Sequence, residues 1–439
     1  MSKIITAEQI ANFAQQTQAQ PAVSALAGAV QKNGIYAASY NHTSATALDP
    51  VFSVEINTGA VSNQKHSGRC WLFAALNMLR HEFARTHQVK DFELSQNYDS
   101  FYDRLEKANW FYEQIILSAK LPRTDRKVAK LFAAPDDDGG QWSYAVAITQ
   151  KYGVVPKSVM PETTSSEATA QYSSVLNTKL RKDAIMLRQM IQDGASTAAI
   201  DAQKQKFMTA VYRITAYAFG EPPKEFTYAY RDDNQQYHTM HTTPQAFLQQ
   251  EFKQNLADYA CFASSPQSDK AVNTLYTVDT QGNVVGGTPV RLLNVAPDRL
   301  KALCIQLLKD NTPIWFGCDV LENMDRVAGA LSGNLYNTDD LFSIHVNRDK
   351  ALRLDTGQGS VSHAMTLTGV DLINDQPTKW KVENSWGDKT GHKGYFTMDD
   401  AWFDAYVYEA VIPTKYMNAA ENKAWQGQPA ILPAWDALS

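Results

Sequence analysis

The sequence predicts an α+β protein, with helices in its first part and a largely antiparallel β unit towards its end. Three patterns carry that prediction. Leu72, Ala75, Leu76, Leu79 and Phe83 recur at helical spacing behind a small-residue turn. Leu176, Leu180, Ala184, Leu187 and Ile191 do the same in a second, longer stretch. From about residue 312 the apolar residues fall instead into short β-prone runs separated by turn residues.

Taken in order, residues 1–55 read as an N-terminal extension, a helical start and then a loose Ala/Ser/Thr/Asn-rich approach through the Asp49-Pro50 turn. Residues 56–160 contain the first helix and an aromatic-rich helical stretch from Leu94 to Ile115, which reads as packing. Asp136-Asp137-Asp138-Gly139-Gly140-Gln141-Trp142 follows. Its two glycines leave the backbone bare, so an extended ligand can pair with it closely. The same residues also read as an acidic, solvated loop ending at a helix N-cap.

Residues 161–310 read as a mainly helical insertion, with Lys179, Arg181, Lys182 and Arg188 as its solvated face. Phe226–Tyr230 is a short strand within it. His238 and His241 have no third ligand at suitable spacing, so no metal is expected there. Residues 311–415 carry the strands, at Pro313–Val320, Ser362–Val370, Thr378–Gly387, Gly394–Met398 and Tyr406–Ile412. Residues 416–439 form an arm whose apolar end, Ile431-Leu432-Pro433-Ala434-Trp435, is unlike a frayed polar terminus and reads as docking.

Composition narrows the function. The 439 residues are 44% hydrophobic and 20% charged, ordinary for a globular protein. Lys plus Arg is 41 against 46 Asp plus Glu, a formal charge of −5, which argues against nucleic-acid or anionic-membrane binding. No stretch approaches a membrane span. The four cysteines, at 70, 261, 304 and 318, are too sparse for a disulfide framework or a four-thiolate site. Met1–Ile10 lacks the basic-then-apolar pattern of a leader. The expectation is a cytoplasmic protein without a cofactor, in a compartment that keeps thiols reduced.

The turn Ser62-Asn63-Gln64-Lys65-His66-Ser67-Gly68-Arg69 delivers Cys70 to the first turn of a helix. Unpartnered N–H groups there favour a thiolate. Gln64 stands upstream as a candidate oxyanion donor. His363 opens one strand and Asn384 ends another. A histidine in this position takes the thiol proton and returns it to the leaving amine, while the asparagine fixes its tautomer. Trp386 can shield the His–Asn bond. Each residue alone also reads blandly: Cys70 as a buried structural cysteine, His363 as a core histidine, Asn384 as a turn residue.

Together, Gln64–Trp71, Ser362-His363-Ala364 and Glu383-Asn384-Ser385-Trp386-Gly387 resemble the papain superfamily, in that chain order. The likeness is to its bleomycin hydrolase and bacterial aminopeptidase C branch, and it extends over nearly the whole chain. The resemblance implies a papain-like fold, a helical half and an antiparallel β-barrel half with the cleft between them, plus a long helical insertion. It implies Cys70 as nucleophile, His363 as base, Asn384 as orienter and Gln64 in the oxyanion hole. It also implies Gly139 and Gly140 as a pair that binds substrate backbone. Peptides are the implied substrates and a homohexamer the implied assembly. In that branch the C-terminal arm lies in the cleft and its carboxylate, here Ser439, holds the substrate amine, giving aminopeptidase activity. This arm passes directly from Asp436 to Ala437-Leu438-Ser439, about three residues short of the longer tails, or roughly 10 Å of extended chain. An endopeptidase or oligopeptidase is therefore the alternative, with Asp136, Asp137 or Asp138 as substitute amine anchors. A thiol acyltransferase or a non-catalytic binding protein is the further alternative.

Overall fold

A computed structural model describes residues 4–346 and 349–438. The helix Cys70–His87 is the centre of the fold. Helices Gln96–Leu117 and Trp142–Tyr152 pack against it, as do strands Ile314–Cys318 and His363–Ile373. The spacing of Leu72, Ala75, Leu76, Leu79 and Phe83 predicts one apolar face for this helix. Trp71, Phe73, Ala74, Asn77, Met78 and Arg80 are buried as well, because neighbours surround it on every side. Its buried cation is met across the layers: Arg80 Nη2 lies 2.5 Å from Glu383 Oε1, and Thr58 Oγ1 donates to the other carboxylate oxygen.

The helical layer is completed by Ala170–Gln192 and Thr197–Phe219, both packed on Gln96–Leu117. Of Lys179, Arg181, Lys182 and Arg188, read as a solvated face, only Lys182 is exposed. Arg188 is buried and donates to the Ser118 and Leu121 carbonyls, and Arg181 donates to the Phe132 and Ala133 carbonyls. Arg188 holds the turn after Gln96–Leu117, and Arg181 satisfies the last carbonyls of the helix Arg126–Ala133. The N-terminal region is more helical than expected, with helices at Ala7–Gln18, Val23–Asn33, Ile35–Ala38 and His42–Thr46.

Among the described residues one sheet has twelve strands. Its order is Ala430–Leu432, Thr274–Val278, Leu292–Asn294, Tyr259–Ala263, Val407–Pro413, Ile314–Cys318, His363–Ile373, Gln376–Glu383, Tyr395–Asp399, Ala330–Leu331 and Met324–Asp325, with Val54–Glu55 added beside His363–Ile373. Most neighbours are antiparallel, but three pairs are parallel, including Ala430–Leu432 on Thr274–Val278. Three strands between residues 259 and 294 fall in the stretch read as helical insertion. They are short and mostly buried, so they lack the alternation that marks a half-exposed strand.

Two rows of this sheet matter for the site. His363 pairs with Cys318, which pairs with Val407; Ala364 pairs with Gly317, which pairs with Glu409. Between Val407 and Glu409 the register shifts by one residue at Tyr408. The bulge turns Glu409 to the face that meets the helices, while Val407 stays in the core on the other face.

Candidate active site

Cys70 is the first residue of its helix, and no side chain caps that end. The preceding Arg69 is locked by Glu162 (Nη2 to Oε2, 2.9 Å) and by the Ser166 carbonyl (2.7 Å). Trp315 Nε1 donates to the Trp71 carbonyl at 2.9 Å, which ties the start of the helix to the sheet. That registry brings Cys70 against His363, the first residue of its strand.

The thiol of Cys70 faces the imidazole of His363, and each shifts the proton affinity of the other. Burial alone pushes the Cys70 thiol up, but facing His363 and the N–H groups of Ala364 and Trp71 pulls it below the ordinary thiol value. Burial also pulls His363 down, yet the charge and hydrogen bond of Cys70 and the Asn384 contact leave it above the ordinary histidine value. Both shifts favour thiolate and imidazolium as a pair.

His363 Nε2 lies 2.9 Å from Asn384 Oδ1. The same Oδ1 accepts from the Ser385 backbone N–H at 2.7 Å, which settles the amide orientation. Nε2 therefore carries a proton, and Nδ1 is the nitrogen left for the thiol. Trp386 lies with its ring 5.0 Å from the His363 ring, and the Arg326 guanidinium lies over the Trp386 ring at 4.5 Å. His363 and Asn384 are both buried beneath it.

Gln64 is joined to the same strand end. Its backbone N–H donates to the Ser385 carbonyl at 2.8 Å, and its Oε1 accepts from Ser385 Oγ at 2.5 Å. Its Nε2 donates to the Ser67 carbonyl at 2.6 Å, so one amide hydrogen holds the turn and the other remains for the cavity. Gly387 completes the contact between the two loops. Its φ is +75° and a Cβ there would meet Asn63 Nδ2 at 2.4 Å.

The three aspartates divide. Asp136 and Asp138 are not solvated: Arg104 reaches Asp136 at 3.1 Å and Asp138 at 2.6 Å. Asp138 also accepts from the Gly68 N–H and from Thr169 Oγ1, and its carbonyl accepts from Trp71 Nε1. Burial pushes Asp136 up to about 6 against the pull of Arg104, whereas for Asp138 the contacts of Arg104, Thr169 and Gly68 outweigh burial and lower it. Only Asp137 is exposed. Lys107 donates to the Asp137 and Gly139 carbonyls at 2.8 and 2.6 Å. Gly140 lies on Trp71, where a Cβ would approach Cε2 to 2.5 Å. Its N–H and C=O have no partner among the described residues, so they are free for an extended peptide.

A cavity of about 290 Å³ contains Cys70, His363, Gln64, Gly139 and Gly140, with Trp315, Val361 and Glu409 on its walls. A second, of about 300 Å³, continues past Gly139 and Gly140 to Trp110 and Tyr144. A larger hollow of about 500 Å³ beside His81, Arg85, Lys253 and Lys415 contains no cysteine and shares no lining residue with either. The arm pairs with Thr274–Val278, stacks Trp435 on Arg126 at 4.0 Å, and sets Asp436 3.0 Å from Lys270. No described residue of the arm lines the two catalytic-side cavities. Ser439 lies outside the described residues.

Sequence reasoning missed Arg104, Lys107, Ser385 and Glu409. Arg104 and Lys107 stand three residues apart on one helical face of an aromatic-rich stretch, and that paired charge in a packing helix is a usable signal. Glu409 is the lone acid in the apolar run Val407–Pro413.

The Peptidase C1-like family model matches residues 4–439. Among curated relatives, "Aminopeptidase C" of Lactobacillus delbrueckii subsp. lactis is 45% identical over 442 residues, covering 100% of this chain and 98% of the relative. "Aminopeptidase G" of the same organism is 44% identical over 440 residues, covering 100% of both. Among solved structures, that of pepw from Lactobacillus rhamnosis HN001 superposes with a TM-score of 0.99 at 50% identity, covering 100% of this chain and 99% of the other.

Proposed function

The chain belongs to the Peptidase C1-like family, and from that premise we propose a cysteine aminopeptidase in which Cys70, His363, Asn384 and Gln64 act together on small peptides. The observation that carries the reading is one buried chain of contacts, Cys70 to His363 to Asn384, at the start of a helix. His363 Nδ1 takes the thiol proton and the thiolate attacks the scissile carbonyl. The developing oxyanion is received by the Cys70 N–H and the free hydrogen of Gln64 Nε2. His363 then protonates the leaving amine as the C–N bond breaks, leaving a thioester on Cys70. Water, deprotonated by His363, attacks the thioester, and the acid is released with the thiol restored. Gly139 and Gly140 supply the edge on which the peptide backbone lies. The catalytic cavity is thus set between a helical half, residues 56–160, and a β half, residues 311–415.

We further propose a cytoplasmic enzyme that assembles as a homohexamer. No helix among the described residues is long and apolar enough to cross a membrane. Ile4, Ile5, Ile10 and Phe13 are exposed along the N-terminal segment and supply apolar surface for an assembly.

A pair of peptides differing only in N-acetylation tests the exopeptidase assignment. The free-amine peptide is expected to give a kcat/KM about tenfold or more above the acetylated one, the value of one charge-assisted hydrogen bond. Efficient cleavage of the blocked peptide with poor cleavage of the free one would reject the aminopeptidase assignment and leave an endopeptidase.

A further inference from the structure

A cation near His363 has no ion-pair partner among the described residues. Arg326 lies in the turn between the strands Met324–Asp325 and Ala330–Leu331. It is exposed, and its guanidinium lies over the Trp386 ring at 4.5 Å. The carboxylate next to it is already engaged. Asp325 Oδ1 accepts from the N–H groups of Val327 and Ala328 at 2.9 and 3.0 Å, and Oδ2 accepts from the Tyr40 hydroxyl at 2.9 Å. The turn is also held in place. The Gly391 N–H donates to the Arg326 carbonyl at 3.3 Å, and a Cβ at Gly329 would lie 2.5 Å from the Gly391 Cα. Gly391 belongs to the segment that follows Trp386, so guanidinium and indole are presented together. A planar guanidinium with its fork unused is well shaped to receive a carboxylate.

Its place fits the half of the substrate that leaves. Gly139 and Gly140 are the edge for the acyl half, and neither Trp386 nor Arg326 lines the two cavities that contain them. Trp386 instead flanks the ring of His363, the group that protonates the departing amine. The guanidinium is at most about 10 Å from that ring, the two contacts laid end to end. A leaving nitrogen ~3 Å from His363 has its own carboxylate one extended residue, ~3.5 Å, farther on, and a guanidinium ~3 Å beyond completes the same distance. We propose that Arg326 is a specificity-determining residue that receives a carboxylate carried by the residue just after the scissile bond. That carboxylate is the free C-terminus of a dipeptide or the side chain of an acidic leaving residue. The proposal rests on the Cys70 peptidase reading and deepens it. Burial pulls His363 down most and the Arg326 charge adds to it, so a carboxylate that neutralises Arg326 also favours the protonated imidazole that the leaving amine needs.

The test uses the full-length enzyme and four dipeptides with a common acyl residue: leucyl-alanine, its C-terminal amide, and the C-terminal amides of leucyl-glutamate and leucyl-glutamine. Leucyl coumarylamide, whose leaving group carries no carboxylate, reports the thiol chemistry alone. The wild-type enzyme is expected to favour a carboxylate member over its neutral partner by about fivefold to tenfold in kcat/KM, the value of a part-exposed charge-assisted pair. A preference within the alanine pair assigns the C-terminus, and one within the glutamate pair assigns the side chain. Arg326→Gln is expected to bring the ratio to within about twofold of one, and Arg326→Glu to invert it, which a merely structural loss would not do. Arg326→Lys keeps the charge without the fork and is expected to retain part of the preference. Ratios near one in both wild-type pairs overturn the proposal. So does a ratio that survives Arg326→Gln, or failure to cleave any of the four dipeptides while the coumarylamide is hydrolysed. Cys70→Ala separates the two readings: if it hydrolyses the coumarylamide at the wild-type rate, the peptidase reading itself has failed.

Discussion

Cys70→Ala is expected to lower kcat by about 10⁴-fold or more while leaving the folded protein intact. The helix start offers no second nucleophile within the cavity, and His363 alone has only water to activate. The substitution also removes the charge that holds His363 above its ordinary value, so the imidazole becomes an ordinary neutral base in a buried site. His363→Ala is expected to be nearly as damaging for the reciprocal reason. With the imidazole gone, burial is the main influence on the Cys70 thiol, and burial raises it. Steady-state kinetics on a free-amine peptide, with thermal unfolding as the control for folding, checks both. Residual activity above about one per cent in Cys70→Ala would contradict the assignment of the nucleophile.

Arg104→Met is expected to be the most destabilising single change near the site, by about 3–5 kcal/mol. Arg104 is 1% exposed and bridges Asp136 and Asp138, with a further bond to Ser173 Oγ at 2.9 Å. Removing it leaves two carboxylates facing each other in a buried loop. Asp138 also holds the Gly68 N–H, two residues before the nucleophile, so kcat/KM is expected to fall together with stability. Arg104→Lys keeps a charge but cannot fork between two carboxylates, and an intermediate loss is expected. Urea unfolding midpoints for the two variants measure the effect. A loss under about 1 kcal/mol for Arg104→Met would mean that the pair is not what holds the loop.

Much of the α+β architecture is legible in the sequence because its elements announce themselves locally. The Leu72-to-Phe83 spacing marks the central helix, and β-branched and aromatic residues mark the strands at His363, Gln376, Tyr395 and Val407. The site residues are legible for a different reason: cysteine before tryptophan at a helix start, and histidine and asparagine at strand ends, are unusual placements for those residue types. Illegible features depend on partners far away in the chain. Nothing near Asp136 says that Arg104 waits 32 residues upstream, so an acidic loop reads as solvated when two of its three carboxylates are paired. Arg188 reads as surface because its carbonyl acceptors, Ser118 and Leu121, lie some 70 residues away. Tyr259–Ala263 and Leu292–Asn294 do not alternate because both faces are covered, and only the sheet order reveals them as strands. Glu409 depends on a one-residue bulge that no periodicity records.

The pH dependence of the Cys70–His363 pair is the most direct probe of the account. Cys70 is lowered and His363 raised, so both shifts favour thiolate and imidazolium together over the neutral pair. Activity is then lost on the acid side as the thiolate takes a proton, and on the alkaline side as the imidazolium loses one. The rate of Cys70 alkylation by iodoacetamide, followed against pH in the wild-type enzyme and in His363→Ala, reads the thiolate directly. The account predicts rapid alkylation persisting well below the ordinary thiol value of about 8.5 in the wild type, and a shift to or above that value in His363→Ala. A wild-type profile that rises only near the ordinary thiol value, unchanged by His363→Ala, would contradict it.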